Sequence, residues 1–153
     1  MSGREDKKEN DLFYLCSLIE FIARKTRNNP KRIVEKLGKK WLERIYDLAD
    51  VYHSDLIEDV SDDLILSCKI EPGHFDNVSS CMYSVPSCWD IGKVYKRLIL
   101  SIAAQDHIDV LSALSQFFSS EMVDAIENYN SDIYYQNNST LMNMYLEGVQ
   151  ASI

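Results

Sequence analysis

After Arg97 the chain contains no lysine and no arginine, so every formal side-chain charge on residues 98–153 is negative. Residues 1–53 carry 12 Lys+Arg against 9 Asp+Glu, a net of +3, whereas residues 54–153 carry 4 against 15, a net of -11, which together give the total of -8. A surface without cations repels phosphate backbones, and its summed field attracts basic partners. Any nucleic-acid contact must therefore use the proximal part of the chain.

Other scarcities exclude other classes. The five glycines are scattered, and neither G-x-x-x-x-G-K-[ST] nor G-x-G-x-x-G occurs, which removes the backbone cradles that hold phosphates and dinucleotides. Only three histidines are present, His53, His74 and His107, and no nucleophile motif surrounds any serine or cysteine that could use one as a base. The longest apolar stretch, Leu12 to Ala23, is short for a bilayer and is interrupted by Glu20, and the polar N-terminus lacks an apolar signal region. The four cysteines, Cys16, Cys68, Cys81 and Cys88, are widely spaced in a chain large enough to fold without cross-links. These features lead us to expect reduced thiols, a cytoplasmic location, no membrane association and no cofactor.

What is present is helical periodicity. The chain reads as a single all-α domain, 1–153, an irregular bundle of about six to seven helices in two halves. Residues 1–10 lack periodicity and read as a disordered lead-in, followed by N-terminal helices over 11–66, a loop-rich connector over 67–88 and C-terminal helices over 89–150. Asn10 or Asp11 is the expected cap of a first helix burying Leu12, Leu15, Cys16, Ile19, Ile22 and Ala23, with Tyr14, Leu18 and Phe21 making it apolar nearly all round. Asn29-Pro30 is a start signal and Gly38 a stop signal for a short helix. A helix through Trp41 and Tyr52 follows, then one capped by Ser54 with Leu56, Ile57, Val60, Leu64 and Ile65 inward. The connector contains Pro72, Gly73 and Pro86, with room for a short strand at 82–85. In the second half, Trp89 to Ile102 form one stripe, in which Gly92 only weakens the first turn. Asp106 or its neighbour is the expected start of a helix through Phe118, Ser119 or Ser120 of one reaching Tyr129, and Ser139 or Thr140 of a last one with Leu141, Met144, Tyr145 and Val149 inward.

Four constellations have functional readings. Cys68, His74, Cys81 and Cys88 could supply zinc with three thiolates and an imidazole, but their spacings of six and seven lack the short C-x2-4-C chelate, so no metal site is expected. Glu58, Asp59, Asp62 and Asp63 share a helix face, where solvation is the simpler role than cation binding. The basic segment from Arg24 to Arg44, with Arg24, Lys25, Arg27, Lys31, Arg32, Lys39 and Lys40 as the candidate patch, could track a phosphate backbone in a helix-turn-helix-like arrangement. Against it, the acidic half would oppose DNA unless it faced away. Finally, Trp89, Asp124, Glu127, Asp132, Tyr134 and Tyr135 form a candidate interface, with acids for a basic partner and aromatics as anchors. Trp89 is also in phase with a helical stripe, which makes a core position its competing reading.

The residues FYLCSLIEFIARKT, IVEKLG and YDLADVYHSDLIEDVSDDLI, within 13–65, resemble a small bacterial helical family of unknown function whose members are often encoded beside ADP-ribosyltransferase-like toxins. The resemblance implies an antitoxin or accessory partner of such a toxin, and it carries over no catalytic residue. It leaves YSVPSCWDIGKVYKRLI in the second half unexplained. In size and helicity the chain also resembles HEPN ribonucleases, whose motif is an Arg, four to six residues, and a His. Here Arg44 lies nine positions before His53 and Arg97 ten before His107, so the motif is missing. The expectation is a non-enzymatic protein-interaction module whose partner is a protein with a basic surface, with a second copy of the chain as a further candidate. A nucleic-acid-binding regulator using 24–44 is the alternative.

Overall fold

The computed structural model describes residues 3–151, with side chains from Lys7 to Gln150. All regular structure among them is helical: α1 (Gly3–Thr26), α2 (Pro30–Asp47), α3 (Ala49–Tyr52), α4 (Ile57–Ser67), α5 (Cys88–Asp106), α6 (Val110–Phe118), α7 (Met122–Glu127), a 3-10 turn at Ile133–Tyr135, and α8 (Asn138–Ala151). The expected all-α bundle is what the chain forms. No strand occurs at 82–85.

α1 is the central element, packed most extensively on α5 and then on α2, with α4 and α3 against its remaining sides. This follows from its composition, since Leu12, Tyr14, Leu15, Cys16, Leu18, Ile19, Ile22 and Ala23 bury more than one stripe of the helix. The buried residues of both halves form a single cluster, from Leu12 through Ile99 to Tyr145. The α1–α5 crossing depends on Gly92. A Cβ there would lie 2.1 Å from Ser17 Oγ and 2.9 Å from the Ser17 backbone, so the glycine is a contact surface and not merely a weak helix former.

Several start and stop signals act as the sequence suggests. Asn29 accepts a hydrogen bond from the Lys31 amide at 2.9 Å with Pro30 in the first turn. Gly38 breaks α2 with φ 73° and ψ 171°, a conformation essentially reserved for glycine. The connector runs between the end of α4 at Ser67 and the start of α5 at Cys88, where Ser87 and Asp90 form a capping box.

Other expectations are corrected. Residues 3–10 are the first turns of α1 and not a disordered lead-in, because Lys7 and Lys8 pair forward to Asp11 at 3.2 and 4.0 Å and Lys8 covers the Tyr46 ring at 4.5 Å. Local ion pairs replace the apolar pattern there; Met1 and Ser2 lie outside the described residues. Asp11 is accordingly buried in mid-helix. Ser54 turns back to the Val51 carbonyl, leaving Leu56 as an uncapped start of α4 and exposed. Asp106 ends α5, and Asp109 caps α6. Ser119 and Ser120 bond back into α6 at the Ser115 and Phe117 carbonyls, and Asn137, not Ser139 or Thr140, receives the Thr140 amide at the head of α8. Val149 faces outward, while Met142 takes the buried place.

Candidate functional site: an aromatic cleft backed by buried carboxyls

The connector is held against the turn after α7 by side-chain amides. Asn77 Nδ2 donates to the Glu127 carbonyl at 2.7 Å and to Glu127 Oε1 at 2.9 Å. Asn130 accepts from the Met82 amide at 2.7 Å and donates to the Ser80 carbonyl at 3.1 Å. These clamps bring Tyr83 and Ser84 to the same cleft as Tyr129, Asn130, Ser131, Asp132, Tyr134 and Tyr135, with a volume of about 780 Å³. Tyr129 packs edge-on to Tyr134 at 5.7 Å, and Tyr134 is tilted against Tyr135 at 5.4 Å, so three rings run outward from core to surface. Tyr83 and Tyr135 are 65% and 78% exposed, which is high for side chains with this much apolar area.

The cleft is electronegative. Its lining includes Asp132 and no lysine or arginine. Burial first, then Tyr135, Cys81 and Asp90, raises the Tyr134 hydroxyl above its ordinary pKa, which places Asp90 within electrostatic reach of the same ring.

Behind Tyr129 lies a buried polar network. Its hydroxyl contacts Glu20 Oε2 at 2.6 Å and Glu127 Oε1 at 3.2 Å, and accepts from Arg24 Nη2 at 3.0 Å. Arg24 Nε donates to Glu20 Oε2 at 2.9 Å, and the Tyr95 hydroxyl donates to Glu127. Glu20 and Glu127 are essentially inaccessible, yet the network holds one cation for the two carboxyls. Two adjacent buried carboxylates cannot both ionise at little cost. Glu20 has the arginine, so Glu127 holds the proton: burial, and then the neighbouring Glu20, raise its pKa well above the carboxylate range. Glu20 Oε1 is buried with no hydrogen-bond partner among the described residues, so no donor shares the charge at that oxygen. Burial, Glu20 and Glu127 likewise raise the Tyr129 hydroxyl, which stays neutral and turned inward, leaving its ring to the cleft.

The candidate interface residues thus separate. Asp132, Tyr134 and Tyr135 come together in the cleft. Glu127 is interior, correcting its reading as a surface contact; its place after Ile126 put it on the acidic side of the chain, but its α7 register points it at Tyr95. Asp124 is held by Lys31 and Asn29. Trp89 is half-buried and packs on Phe13 at 5.6 Å and His53 at 6.4 Å, away from the cleft.

The basic patch is also divided. Arg24 is built into the network, Lys25 pairs with Asp62 and Lys31 with Asp124, both at 2.5 Å. Arg27, Arg32, Lys39 and Lys40 remain, with Lys39 only loosely near Glu43 at 3.9 Å. All four cysteines are free thiols, and Cys68, His74, Cys81 and Cys88 do not converge, since no metal-holding group of three such ligands occurs among the described residues.

Sequence reasoning passed over Glu20, Tyr83, Tyr95, Asn77 and Asn130. Glu20 carries a visible signal, a carboxylate in phase with Cys16 on a helix apolar nearly all round, which demands a buried partner. The other four have no local signal, because their roles exist only through contacts more than thirty residues away. Comparison with protein-family models, with curated proteins and with solved structures finds no match to this chain.

Proposed function

We propose that this chain is a non-enzymatic protein-interaction module that binds a basic protein partner through its acidic second half, anchored at the Tyr83–Tyr129–Tyr134–Tyr135 cleft. The observation that carries this reading is the grouping of exposed apolar side chains. Met82, Tyr83, Val85 and Tyr135 are all exposed, and they flank or line a cleft that contains Asp132 and lacks a cation. Large amphipathic rings dominate binding energy where they can be desolvated, and acids around them set partner choice and association rate. The resemblance of residues 13–65 makes a toxin encoded nearby the first partner to try, with this chain as its antitoxin or accessory protein. A phosphate-binding role is supported less well, because Arg24, Lys25 and Lys31 already neutralise acids of the same chain.

Photo-crosslinking in the cells that produce the protein tests this. A benzoylphenylalanine at position 135 should capture a protein through a Lys/Arg-rich segment, and Asp132→Lys with Tyr83→Ala should abolish the adduct. The same probe at Val149, exposed on α8, serves as control. Capture of the same mixture from both positions, or of an acidic segment, would overturn the proposal.

A further inference from the structure

The cleft has the chemistry of a pocket for one kind of side chain. Its aromatic lining offers ring faces, its rim offers the Ser84 hydroxyl and the Asp132 carboxylate as acceptors, and no lysine or arginine competes within it. An ammonium would have to shed tightly held water to enter. A guanidinium is weakly hydrated, stacks flat on aromatic faces and keeps its in-plane N–H groups free for acceptors at the edge. Within the chain the same chemistry already occurs once: the Arg24 guanidinium lies 5.3 Å over the Tyr129 ring while Glu20 takes its Nε. Because Glu20 neutralises Arg24, that cation does not cancel the field of Asp132 and Asp90 on the outer rings. Tyr129 is buried with its hydroxyl committed to the interior, so it backs the pocket and adds no competing donor.

We infer that the cleft is an arginine-recognition pocket, in which a guanidinium from the partner's basic segment stacks on Tyr83, Tyr134 and Tyr135 and hydrogen-bonds to Asp132. This rests on the basic-partner reading and narrows it to one side-chain chemistry. The pocket is rigid on the connector side through the Asn130 clamp, so binding does not have to order that segment.

Titration of the isotope-labelled full chain with hexa-arginine, hexa-lysine and hexa-citrulline, followed by amide NMR at low salt, separates the two levels. Hexa-arginine should shift residues 83–84 and 129–135 and bind about fivefold or more tighter than hexa-lysine, while hexa-citrulline, similar in shape but uncharged, should not bind. Tyr83→Ala with Tyr135→Ala should weaken hexa-arginine about tenfold. Both tyrosines are exposed, so the variants are expected to fold. Equal affinity for the arginine and lysine peptides, or shifts spread over 98–153 that bypass the cleft, would overturn the arginine assignment and leave the acidic-surface reading standing. Failure of both cationic peptides to bind would overturn both.

Discussion

At the scale of single residues, the least ordinary feature is the protonated Glu127 beside the Glu20–Arg24 ion pair. Its folded-state pKa lies above the ordinary 4.5, so folding takes up a proton as pH rises past that value. The contribution is therefore complete below about 4.5 and is lost as pH climbs through the raised folded value. Stability from urea unfolding should fall above pH 4.5 by up to about 1.4 kcal/mol per pH unit, and Glu127→Gln, which keeps the shape and one acceptor oxygen but cannot ionise, should remove that slope. An unchanged slope in the variant would mean that Glu127 is ionised in the native state. Asp76 and Asp109, lowered chiefly by hydrogen bonds from Ser79 and Ser112, act in the opposite sense: what they contribute is present above the ordinary 3.8 and is lost as pH falls through their lower folded values. Arg24→Ala leaves Glu20 as an uncompensated buried charge and should cost about 3 kcal/mol or more in thermal or urea unfolding. From the sequence, Glu20 was visible as a carboxylate on an apolar helix. Its partners were not, since Tyr129 lies 109 residues away.

At the scale of elements, the helix signals that worked are those whose chemistry closes within one turn. Asn29-Pro30 and Gly38 each act within a few residues, as does the Ser87–Asp90 capping box that the structure adds. Among those that failed, Ser54, Ser119 and Ser120 had a choice of nearby backbone partners and all bond backward to the preceding turn. Two glycines give a contrasting pair of predictions. Gly38→Ala meets no neighbour, so its cost is backbone strain alone, about 1–3 kcal/mol, and it should straighten or destabilise α2 without touching the core. Gly92→Ala sits in an ordinary helical conformation but drives a methyl into Ser17. It should cost about 1–3 kcal/mol through separation of α1 and α5, and Ser17→Gly should recover part of the loss in a double-mutant cycle. Simple additivity of the two changes would argue against that crossing.

At the scale of the whole molecule, the two halves differ in charge yet share one core. α1 packs more extensively on α5 than on any single helix of its own half, so residues 1–66 alone would expose the α5-facing side of α1. Expressed separately, 1–66 and 89–153 should each lack a cooperative thermal transition by circular dichroism, whereas the full chain should show a single one. Independent cooperative melting of either piece would show that the charge boundary is also a folding boundary. The surface pairs between the halves, such as Lys31–Asp124, are half-exposed and contribute little to holding them together, since exposed ion pairs are worth about 0–1 kcal/mol.

The sequence by itself determined the helical class, the connector between Ser67 and Cys88, the central position of the first helix and the acidic second half. Each of these is set by periodicity, by caps a few residues apart, or by summed composition, all of which are local or additive along the chain. Tertiary structure alone decided that Glu127 is interior, that Asp124 is neutralised by Lys31, that Gly92 is a helix crossing, and that Tyr83 from the connector meets Tyr129, Tyr134 and Tyr135. Those outcomes depend on which distant segments are folded together, and a charge or a ring has no fixed role until its neighbours decide whether it faces water, an opposite charge or another ring.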